Sequence, residues 1–568
     1  MKQLLLAPIA AISLTACATI DQTEFAPASN VKGAVSAADP RAQAAGEEIL
    51  RRGGNATDAA IAVMLALTVV EPQSSGIGGG GFLVRGDSAG TVQTYDGRET
   101  SPAGATPDWF LAKDGSVPDF MESVRSGLSV GVPGNVALAA QAHAEHGTLD
   151  WATLFEPAIR LAREGFQVNP RLHGSLSSAR DRAAFTQQGR AIYYDAAGNP
   201  PAVGSLLRNE ELARTLEAIA EAGPEAFYRG ENASRLVTTV SNATPRQGAM
   251  TVADVNRYAA KLRAPVCSEY RLHRICAMGP PTSGGVAVLQ ILGQLERFDL
   301  SALGVDNPVT WHLFLESQRL AYADRELYLA DPDFVSVPVA GLIDRNYLAQ
   351  RSTLIDAGSR MDAVQPGVPS GVTQAWADGN EPEEKGTSHL AVVDAAGTMI
   401  SYTSTIEGAF GSGLVTGGYF LNNELTDFSR QPVVDGKPVA NRVEGGKRPR
   451  SSMSPVVVYD PQGEPMMAVG AAGGSTIPVQ TARSIIGVID FGLDAEDALG
   501  LPFVMAFGDE IMLEQGTWLE TAAGAFRALG HTNAALRPAP VKAGIVLRRG
   551  GAWHSARDPR IEEQLELP

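Results

Sequence analysis

The chain has 568 residues, of which 44% are hydrophobic and 19% are charged, and its formal net charge is −17. This composition is typical of a globular protein and excludes wholesale disorder. The acidic balance disfavours a nucleic-acid partner, because phosphate binding needs a basic face and no run of Lys and Arg supplies one.

The first twenty residues, MKQLLLAPIAAISLTACATI, carry one cation and then an apolar stretch that is too short to span a bilayer. The LTAC tetrapeptide resembles a bacterial lipobox, in which Cys17 becomes lipid-bearing. We therefore expect a lipoprotein signal peptide at residues 1–16, a tether at 17–31 and a periplasmic, membrane-anchored protein. A plain cleaved signal is the alternative.

Beyond the tether, the pattern predicts helices first and strands later. Helices are expected from Asp39-Pro40 toward Leu50 and over the apolar run 59–70, capped by residues 56–58, with strands at 82–84 and 92–95. Residues 135–165 and 205–300 read as mostly amphipathic helix. After residue 387, short strands bounded by turn residues are expected at 388–393, 399–405, 419–421, 456–459 and 466–469.

Two motifs are formally present in the wrong context. Residues 76–81 (GIGGGG) fit the dinucleotide-binding GxGxxG pattern, but a helical run precedes them and a strand follows, the reverse of what that site needs. Residues 127–131 (GLSVG) fit a nucleophile elbow, but a Pro-Gly pair interrupts where its helix should run. We interpret both as structural, the first as backbone packed closely beside a buried element.

The remaining cysteines, Cys267 and Cys276, flank a predicted β-hairpin. An oxidising compartment would permit a disulfide across it. Two cysteines make only half a metal site, and none of the eight histidines forms HExxH, so no metal is expected.

The segment KGTSHLAVVD places Thr387 after Gly386 at a junction between a charged loop and a half-buried strand. If the Gly386–Thr387 bond were cut, Thr387 would carry both a hydroxyl and a free α-amine. Such an amine ordinarily has a pKa of about 7.7 to 8.0, so it can act as the base for the hydroxyl. Taken alone, the dipeptide could equally be a strand start. His389 could serve as a base instead, but a lone strand histidine is more often structural.

Seven further motifs resemble the γ-glutamyltransferase (γ-glutamyltranspeptidase) family in order and spacing. They are residues 71–73 (EPQ), 95–100 (YDGRET), 279–285 (GPPTSGG), 402–413 (YTSTIEGAFGSG), 421–428 (LNNELTDF), 447–455 (KRPRSSMSP) and 470–475 (GAAGGS). The resemblance covers almost all of residues 30–560.

The resemblance implies an α+β fold, the four-layer αββα sandwich of N-terminal-nucleophile hydrolases. It implies a precursor that cuts itself before Thr387 into a large subunit, residues 32–386, and a small subunit, residues 387–568. The two would form one intertwined heterodimeric domain.

The resemblance also implies roles for individual residues. Thr387 would be the nucleophile, Thr405 would orient it, and Gly473 and Gly474 would offer backbone N–H groups to the oxyanion. The substrate-binding residues would be Arg98, Ser451 and Ser452 for the α-carboxylate, and Glu407, Glu424 and Asp427 for the α-ammonium. Glutathione is the expected donor, with water, amino acids or peptides as acceptors, and no cofactor is expected.

Two departures from the family pattern affect specificity. Glu407 and Glu424 stand where other members have Asn and Gln, and both variants occur in the family. No aromatic residue lies between Phe428 and Tyr459, where several bacterial relatives have a lid tyrosine, so a shorter or more open lid is expected.

Three other functions remain open from sequence. A glutaryl-cephalosporin acylase would not need the three acids, because a glutaryl group lacks the ammonium. A polyglutamate-cleaving enzyme is the second, and the third is a lipid-anchored binding protein that captures γ-glutamyl peptides without turnover.

Overall fold

A computed structural model describes residues 33–245, 250–379 and 386–567. The expected signal peptide, lipidated Cys17 and tether lie outside these ranges. Within them, none of the helices has the length and apolarity that crossing a bilayer requires.

The helices before Gly386 are α1 (Pro40–Arg51), α2 (Ala56–Val70), α3 (Phe120–Val124), α4 (Asn135–His146), α5 (Glu156–Glu164), α6 (Pro170–Ser178), α7 (Arg180–Ala183), α8 (Gln187–Tyr193), α9 (Glu210–Ala222), α10 (Glu225–Tyr228), α11 (Gly230–Asn242), α12 (Val252–Arg257), α13 (Gly284–Leu295), α14 (Leu300–Leu303), α15 (Pro308–Tyr328), α16 (Val339–Leu342) and α17 (Arg345–Ser352). Those after it are α18 (Ile477–Ile489), α19 (Ala495–Gly500), α20 (Trp518–Ala528) and α21 (Pro559–Leu565).

The strands before Gly386 are β1 (Gly33–Ala37), β2 (Gly80–Gly86), β3 (Val92–Gly97), β4 (Phe166–Gln167), β5 (Leu206–Leu207), β6 (Lys261–Arg263), β7 (Val266–Tyr270) and β8 (His273–Ala277). Those after it are β9 (Ser388–Asp394), β10 (Met399–Thr405), β11 (Val415–Thr416), β12 (Tyr419–Phe420), β13 (Val433–Val434), β14 (Lys437–Pro438), β15 (Val456–Tyr459), β16 (Pro465–Ala471), β17 (Val504–Phe507), β18 (Glu510–Glu514), β19 (Ala534–Arg537), β20 (Ala543–Arg549) and β21 (Ala552–Arg557).

Two six-stranded sheets form the centre of the molecule. The first has the order β1-β9-β10-β2-β3-β6 and the second β21-β20-β16-β15-β8-β7. Strands β9 and β10 of the first contact β16 and β20 of the second, so the sheets face each other. Each sheet takes strands from both sides of Gly386. The two parts of the chain therefore share one core.

Helices cover the outer surfaces of both sheets. Helix α2 packs on β9 and β10, and α13 and α18 pack on the second sheet. Every side chain of α2 is buried, which its predominantly apolar sequence favours. The helix begins after Asn55, whose side chain accepts the N–H of Thr57 and of Asp58, and Asp58 completes a capping box. The predicted cap at residues 56–58 is thus one residue too late, because Asn55 offers the acceptor oxygen.

Most predicted strands are confirmed, and β10 and β15 match their predicted bounds. The expectation of helix over 205–300 is wrong for residues 261–277, which form β6, β7 and β8. The hairpin predicted around the cysteines is β7 and β8, and Cys267 is bonded to Cys276 across it.

Candidate active site

Thr387 lies immediately before β9, at the edge of the first sheet where β10 ends. Its Oγ1 is 3.1 Å from the Oγ1 of Thr405, the last residue of β10. The Thr405 oxygen also accepts the N–H of Glu407 at 2.8 Å, which leaves the Thr405 hydroxyl hydrogen free to donate to Thr387. The Thr387 N–H donates to the carbonyl of Ser74 at 2.9 Å. Both atoms of Thr387 that the proposed chemistry needs are therefore fixed in place.

Gly386 lies against the turn that follows β10. A Cβ added to it would come within 1.8 Å of the Glu407 carbonyl oxygen. Glu407 itself has a φ of 75°, so this turn already occupies the left-handed region. Only glycine fits before Thr387 without displacing the turn.

A buried ion pair lies behind Thr387. The Lys542 ammonium donates to Glu71 Oε2 at 2.6 Å and to the Thr387 carbonyl oxygen at 2.8 Å. Glu71 also accepts from Arg171 Nε at 2.9 Å and from the Ser388 hydroxyl at 2.5 Å. The charge of Lys542 is therefore one hydrogen bond from the backbone of the candidate nucleophile.

Both members of this pair are ionised near pH 7. Burial opposes ionisation of Glu71, but the cations Lys542 and Arg171 outweigh it and hold the pKa of Glu71 at about 2. Burial lowers the pKa of Lys542 to about 8, against the attraction of Glu71. Burial has the larger effect on the pKa of Lys542 because the single carboxylate of Glu71 is shared between two cations, Lys542 and Arg171.

At the opposite end of the site, Arg98 joins two acids. Arg98 follows β3, and its guanidinium donates to Glu424 and Asp427, both on a 3₁₀ turn. It also donates to the carbonyls of Pro449 at 3.1 Å and Arg450 at 2.8 Å. Arg98 and Glu424 are fully buried, so their charges depend on each other for compensation.

The acids of this end converge. One carboxylate oxygen each from Glu407, Glu424 and Asp427 lies within 4.8 Å of the others. Arg98 pairs with two of these acids but carries only one positive charge, and a cation between them would find further oxygen acceptors. An organic ammonium, with three N–H donors, suits this geometry.

Glu99 is buried beside Arg98, with its Oε2 3.9 Å from the guanidinium. Burial raises the pKa of Glu99 to about 8, despite the nearby Arg98 charge. Within the described residues, neither carboxyl oxygen has a hydrogen-bond partner. Glu99 is therefore neutral at pH 7 and leaves the charge of Arg98 to Glu424 and Asp427.

The segment carrying Ser451 and Ser452 is held by two elements distant in sequence. Thr282 and Ser283, just before α13, donate to the carbonyls of Met453 and Ser451, both at 2.5 Å. From α15, Arg325 donates to the Ser452 hydroxyl at 2.7 Å.

Arg325 also bonds the Ser283 hydroxyl, at 2.8 Å. The GPPTSGG motif therefore positions the serines rather than contacting a substrate itself. Gly284 is required there because a Cβ would lie 2.4 Å from the Ser452 carbonyl.

Gly473 and Gly474 follow β16 and have φ values of 125° and 60°. These left-handed conformations favour glycine. The Gly473 carbonyl accepts the Thr476 hydroxyl at 2.8 Å, and this closes the turn into α18. The pair is thus a rigid turn at the end of the central strand of the second sheet.

One cavity of about 1070 Å³ brings most of these residues together. The predicted site residues that line it are Arg98, Thr387, Thr405, Glu407, Glu424, Asp427, Ser451, Ser452 and Gly474. Gly473 is adjacent in sequence but is not among the lining residues. Further lining comes from α15 and from β17 with the turn after it.

The motifs interpreted as structural are structural. A Cβ on Gly78 or Gly79 would lie 2.0 or 1.9 Å from a backbone oxygen, so the glycine run is packed against the turns beyond β10 and β12. In the GxSxG segment, Ser129 is buried, and its hydroxyl donates to the carbonyls of Val124 and Ser126.

His389 packs between the two sheets. Its Nδ1 lies 2.9 Å from the Thr403 hydroxyl, and a Cβ on Gly470 of the facing sheet would touch its ring. Burial lowers the pKa of His389 to about 3, so the ring is neutral at pH 7. This is a structural histidine bonded to Thr403.

Sequence reasoning missed Lys542, Arg325, Ser74 and Glu99. Glu99 lies inside the recognised motif YDGRET, and Ser74 directly follows EPQ, so their motifs could have suggested them. Lys542 and Arg325 are isolated basic residues that reach the site only through the tertiary fold.

The fold and the threonine pair define the class first, that of the N-terminal-nucleophile hydrolases. The crystal structure of cephalosporin acylase from Bacillus halodurans has this fold, with a TM-score of 0.81 and 28% identity over 93% of this chain and 94% of that one. Family membership follows from sequence comparison. The chain belongs to the γ-glutamyltranspeptidase family, whose family profile matches residues 42–567.

Two curated relatives are similar over most of their length. The glutathione hydrolase proenzyme of Bacillus subtilis (strain 168) is 36% identical over 483 residues, which is 83% of this chain and 80% of the relative. The glutathione hydrolase proenzyme of Escherichia coli (strain K12) is 34% identical over 559 residues, 96% of this chain and 93% of the relative.

Proposed function

We propose that this protein cleaves γ-glutamyl amides such as glutathione and transfers the γ-glutamyl group to water or to the amine of an amino acid or peptide. The observation that carries this proposal is a single cavity with a threonine pair at one end and Arg98, Glu424 and Asp427 at the other. The names of the two proenzyme relatives support it.

A γ-glutamyl group matches the two ends of the cavity. Its α-carboxylate can take hydrogen bonds from Arg98 and from the serines at 451 and 452, and its α-ammonium can replace the guanidinium as partner of the acids. Arg98 carries one positive charge beside three acids, so the ammonium of a zwitterionic head adds positive charge that these acids can accept while its carboxylate pairs with Arg98.

The reaction begins when Thr387 Oγ1 attacks the γ-carbonyl carbon and the α-amine takes the hydroxyl proton. The tetrahedral oxyanion accepts hydrogen bonds from the N–H groups of Gly473 and Gly474. The proton then passes to the leaving amine, the C–N bond breaks, and a γ-glutamyl ester remains on Thr387. Water or an acceptor amine attacks this ester and restores the hydroxyl.

The same hydroxyl would mature the enzyme. Its attack on the Gly386 carbonyl moves the acyl group from nitrogen to oxygen, which breaks the C–N bond and frees the α-amine of Thr387. Hydrolysis of the resulting ester releases the Gly386 carboxylate and restores the Thr387 hydroxyl. Residues 32–386 and 387–568 become the large and small subunits. Since both sheets interleave strands from the two parts, the subunits would stay together as one four-layer αββα domain.

The cavity exceeds the needs of a γ-glutamyl group. Tyr322, Val364, Met505 and Phe507 also line it and offer apolar surface for an acceptor side chain. Together with the expected open lid between residues 428 and 459, this favours large acceptors or water.

A glutaryl-amide acylase is the second candidate, because the acylase from Bacillus halodurans has this fold over 93% of this chain. A glutaryl group has no ammonium, however, and would leave Glu407, Glu424 and Asp427 without the cation that their geometry suits.

The deciding experiment compares chromophore release from γ-glutamyl and glutaryl anilides by the processed protein. We expect release from the γ-glutamyl anilide at a rate at least about 100-fold higher, since unpaired buried charge costs several kcal/mol. A preference for the glutaryl compound would establish the acylase. Stoichiometric binding of γ-glutamyl peptides with no release would establish the binding protein.

Maturation is tested on a denaturing gel with Thr387→Ala. This variant is expected to stay a single chain while the wild type separates into two. Two bands from Thr387→Ala would mean that the cut is not made by this hydroxyl.

The proposal includes a lipid anchor on Cys17, supported by the LTAC sequence after an apolar run. Labelled palmitate should enter the wild-type protein and not Cys17→Ser. Equal labelling of both would rule the anchor out, and a labelled wild type found at the outer or inner membrane would identify the compartment.

A further inference from the structure

Lys542 connects the candidate nucleophile to the glycine turn. Its ammonium donates to the Thr387 carbonyl at 2.8 Å, and its own carbonyl accepts the N–H of Ala472 at 2.9 Å, immediately before Gly473. Its N–H donates to the Gln480 side chain at 2.9 Å. One buried residue therefore fixes the spacing between the attacking residue and the turn proposed to receive the oxyanion.

The same ammonium orders the surroundings of Thr387. It lies 3.2 Å from the hydroxyls of Ser74 and Ser388. Ser74 in turn accepts the Thr387 N–H through its carbonyl, so the nitrogen of Thr387 is held by a residue that Lys542 contacts and its carbonyl oxygen is held by Lys542 itself.

The charges around this ammonium do not cancel. Glu71, just after α2, pairs with both Lys542 and Arg171 of α6. Asp39, just before α1, is paired with Arg41. With Lys542 included, these groups leave one net positive charge. On the cavity side, the acid Glu407 lies two residues after Thr405 and lines the same cavity.

We propose that Lys542 is a positioning residue that holds Thr387 by its carbonyl oxygen. Its positive charge also keeps the freed α-amine of Thr387 neutral at physiological pH, so that the amine can accept a proton. This inference rests on the proposed function, because it takes Thr387 as the nucleophile. A cation near an amine disfavours the amine's protonated form. Lys542 gives and takes no proton in the reaction.

The test compares three variants of the processed protein. Lys542→Met removes the charge and the donor, Lys542→Arg keeps the charge, and Lys447→Met is the control. Lys447 is also buried and donates to a glutamate and to a backbone carbonyl, in its case Glu444 and Ala440 rather than Glu71 and Thr387. The readouts are kcat, KM and the acidic limb of the pH profile of kcat/KM for a γ-glutamyl anilide.

Lys542→Met is expected to move the acidic limb upward by about one pH unit, from the lost Coulombic repulsion at a few ångströms. Its kcat at pH 7 should fall at least about tenfold while KM stays within about twofold, because Arg98 and its acidic partners lie at the other end of the cavity. Lys542→Arg should retain the wild-type limb with a lower kcat. Lys447→Met should leave the limb unmoved.

An unmoved acidic limb in folded, processed Lys542→Met overturns the proposal. If that variant does not fold, the test is an NMR titration of the labelled Thr387 α-amine in the processed wild-type protein. A pKa below the ordinary range for an α-amine, about 7.7 to 8.0, supports the proposal, and a pKa within or above that range overturns it. If the wild type neither splits nor releases chromophore, the proposed function itself has failed.

Discussion

The two ends of the cavity use charge in different ways. At the clamp end, Arg98, Glu424 and Asp427 present their charged groups to the cavity and pair with one another. At the reaction end, Thr387 and Thr405 line the cavity with hydroxyl groups 3.1 Å apart, and the charges of Lys542 and Glu71 lie one layer behind.

The difference follows from what each end must recognise. A charged substrate head needs charged partners that can exchange with it, whereas an attacking hydroxyl needs fixed geometry and a base that stays unprotonated. A charge placed directly on the hydroxyl would bind the substrate rather than activate the nucleophile. We therefore expect changes at the clamp end to act mainly on KM and changes at the reaction end to act mainly on kcat.

The largest effect is expected from Arg98→Ala. It should lower kcat/KM about 1,000-fold, chiefly through KM, because it removes a charge-assisted donor and leaves Glu424 and Asp427 facing each other. Kinetics with the γ-glutamyl anilide measures it. Arg483→Ala is the control, since Arg483 is equally buried but bonds Leu499 and Leu501 away from the cavity. Equal rates for Arg98→Ala and wild type would refute the clamp.

Thr405→Val tests the reaction end. It should lower kcat about 100-fold with little change in KM, because the hydroxyl that orients Thr387 is lost while the shape is kept. The matched control is Thr403→Val, two residues earlier on β10, whose hydroxyl serves His389. A change in KM alone for Thr405→Val would break the contrast between the two ends.

Gly386→Ala tests the approach to the reaction end. Its Cβ would displace the Glu407 carbonyl, so the precursor should split at least about tenfold more slowly, from strain of a few kcal/mol. Densitometry of the two bands over time measures it. Gly174→Ala is the control, because nothing lies within 4 Å of its Cβ position. If Gly386→Ala split at the wild-type rate, the turn that carries Glu407 would have shifted to accommodate the added Cβ.

The smallest effect is expected from the titration of His389, which lies between the two sheets. The pKa of His389 is lowered to about 3 in the fold, from an ordinary value of 6.5. Its contribution to stability is therefore present above pH 6.5 and is lost as the pH falls through 3. His389→Asn should cost about 1 kcal/mol at pH 7 for the lost hydrogen bond. Its melting temperature should nevertheless fall less steeply than that of the wild type between pH 6 and 4, and an unchanged slope would exclude His389 as the titrating group.

The strands that bound the reaction end were predictable because their signal is local. Alternating or continuous apolar residues between turn residues gave β10 and β15 their predicted bounds. Recognised motifs indicated ten candidate substrate-binding and catalytic residues, of which nine line the cavity; the tenth, Gly473, precedes the lining residue Gly474. The hairpin at residues 266–277 was predicted from two short β-prone runs, although the broad prediction of helix around it was wrong.

The residues that hold the candidate site in place from behind could not be identified from the sequence. Lys542 stands 155 positions from Thr387, and Arg325 stands 127 positions from Ser452. Neither has a local pattern that distinguishes it from a surface cation. The internal pairing of Arg98 with Glu424 and Asp427 was also unforeseen, because the resemblance assigned these groups separately to a substrate.

The interleaving of strands β9 and β10 among β1, β2, β3 and β6 would make the proposed maturation a one-way event. Neither fragment holds a complete sheet, so the native arrangement must form while the polypeptide is continuous. Once the bond before Thr387 is cut, unfolding would release two separate chains, and recovery would become a bimolecular search for a partner. The mature enzyme would then depend on the height of its unfolding barrier rather than on reversible refolding.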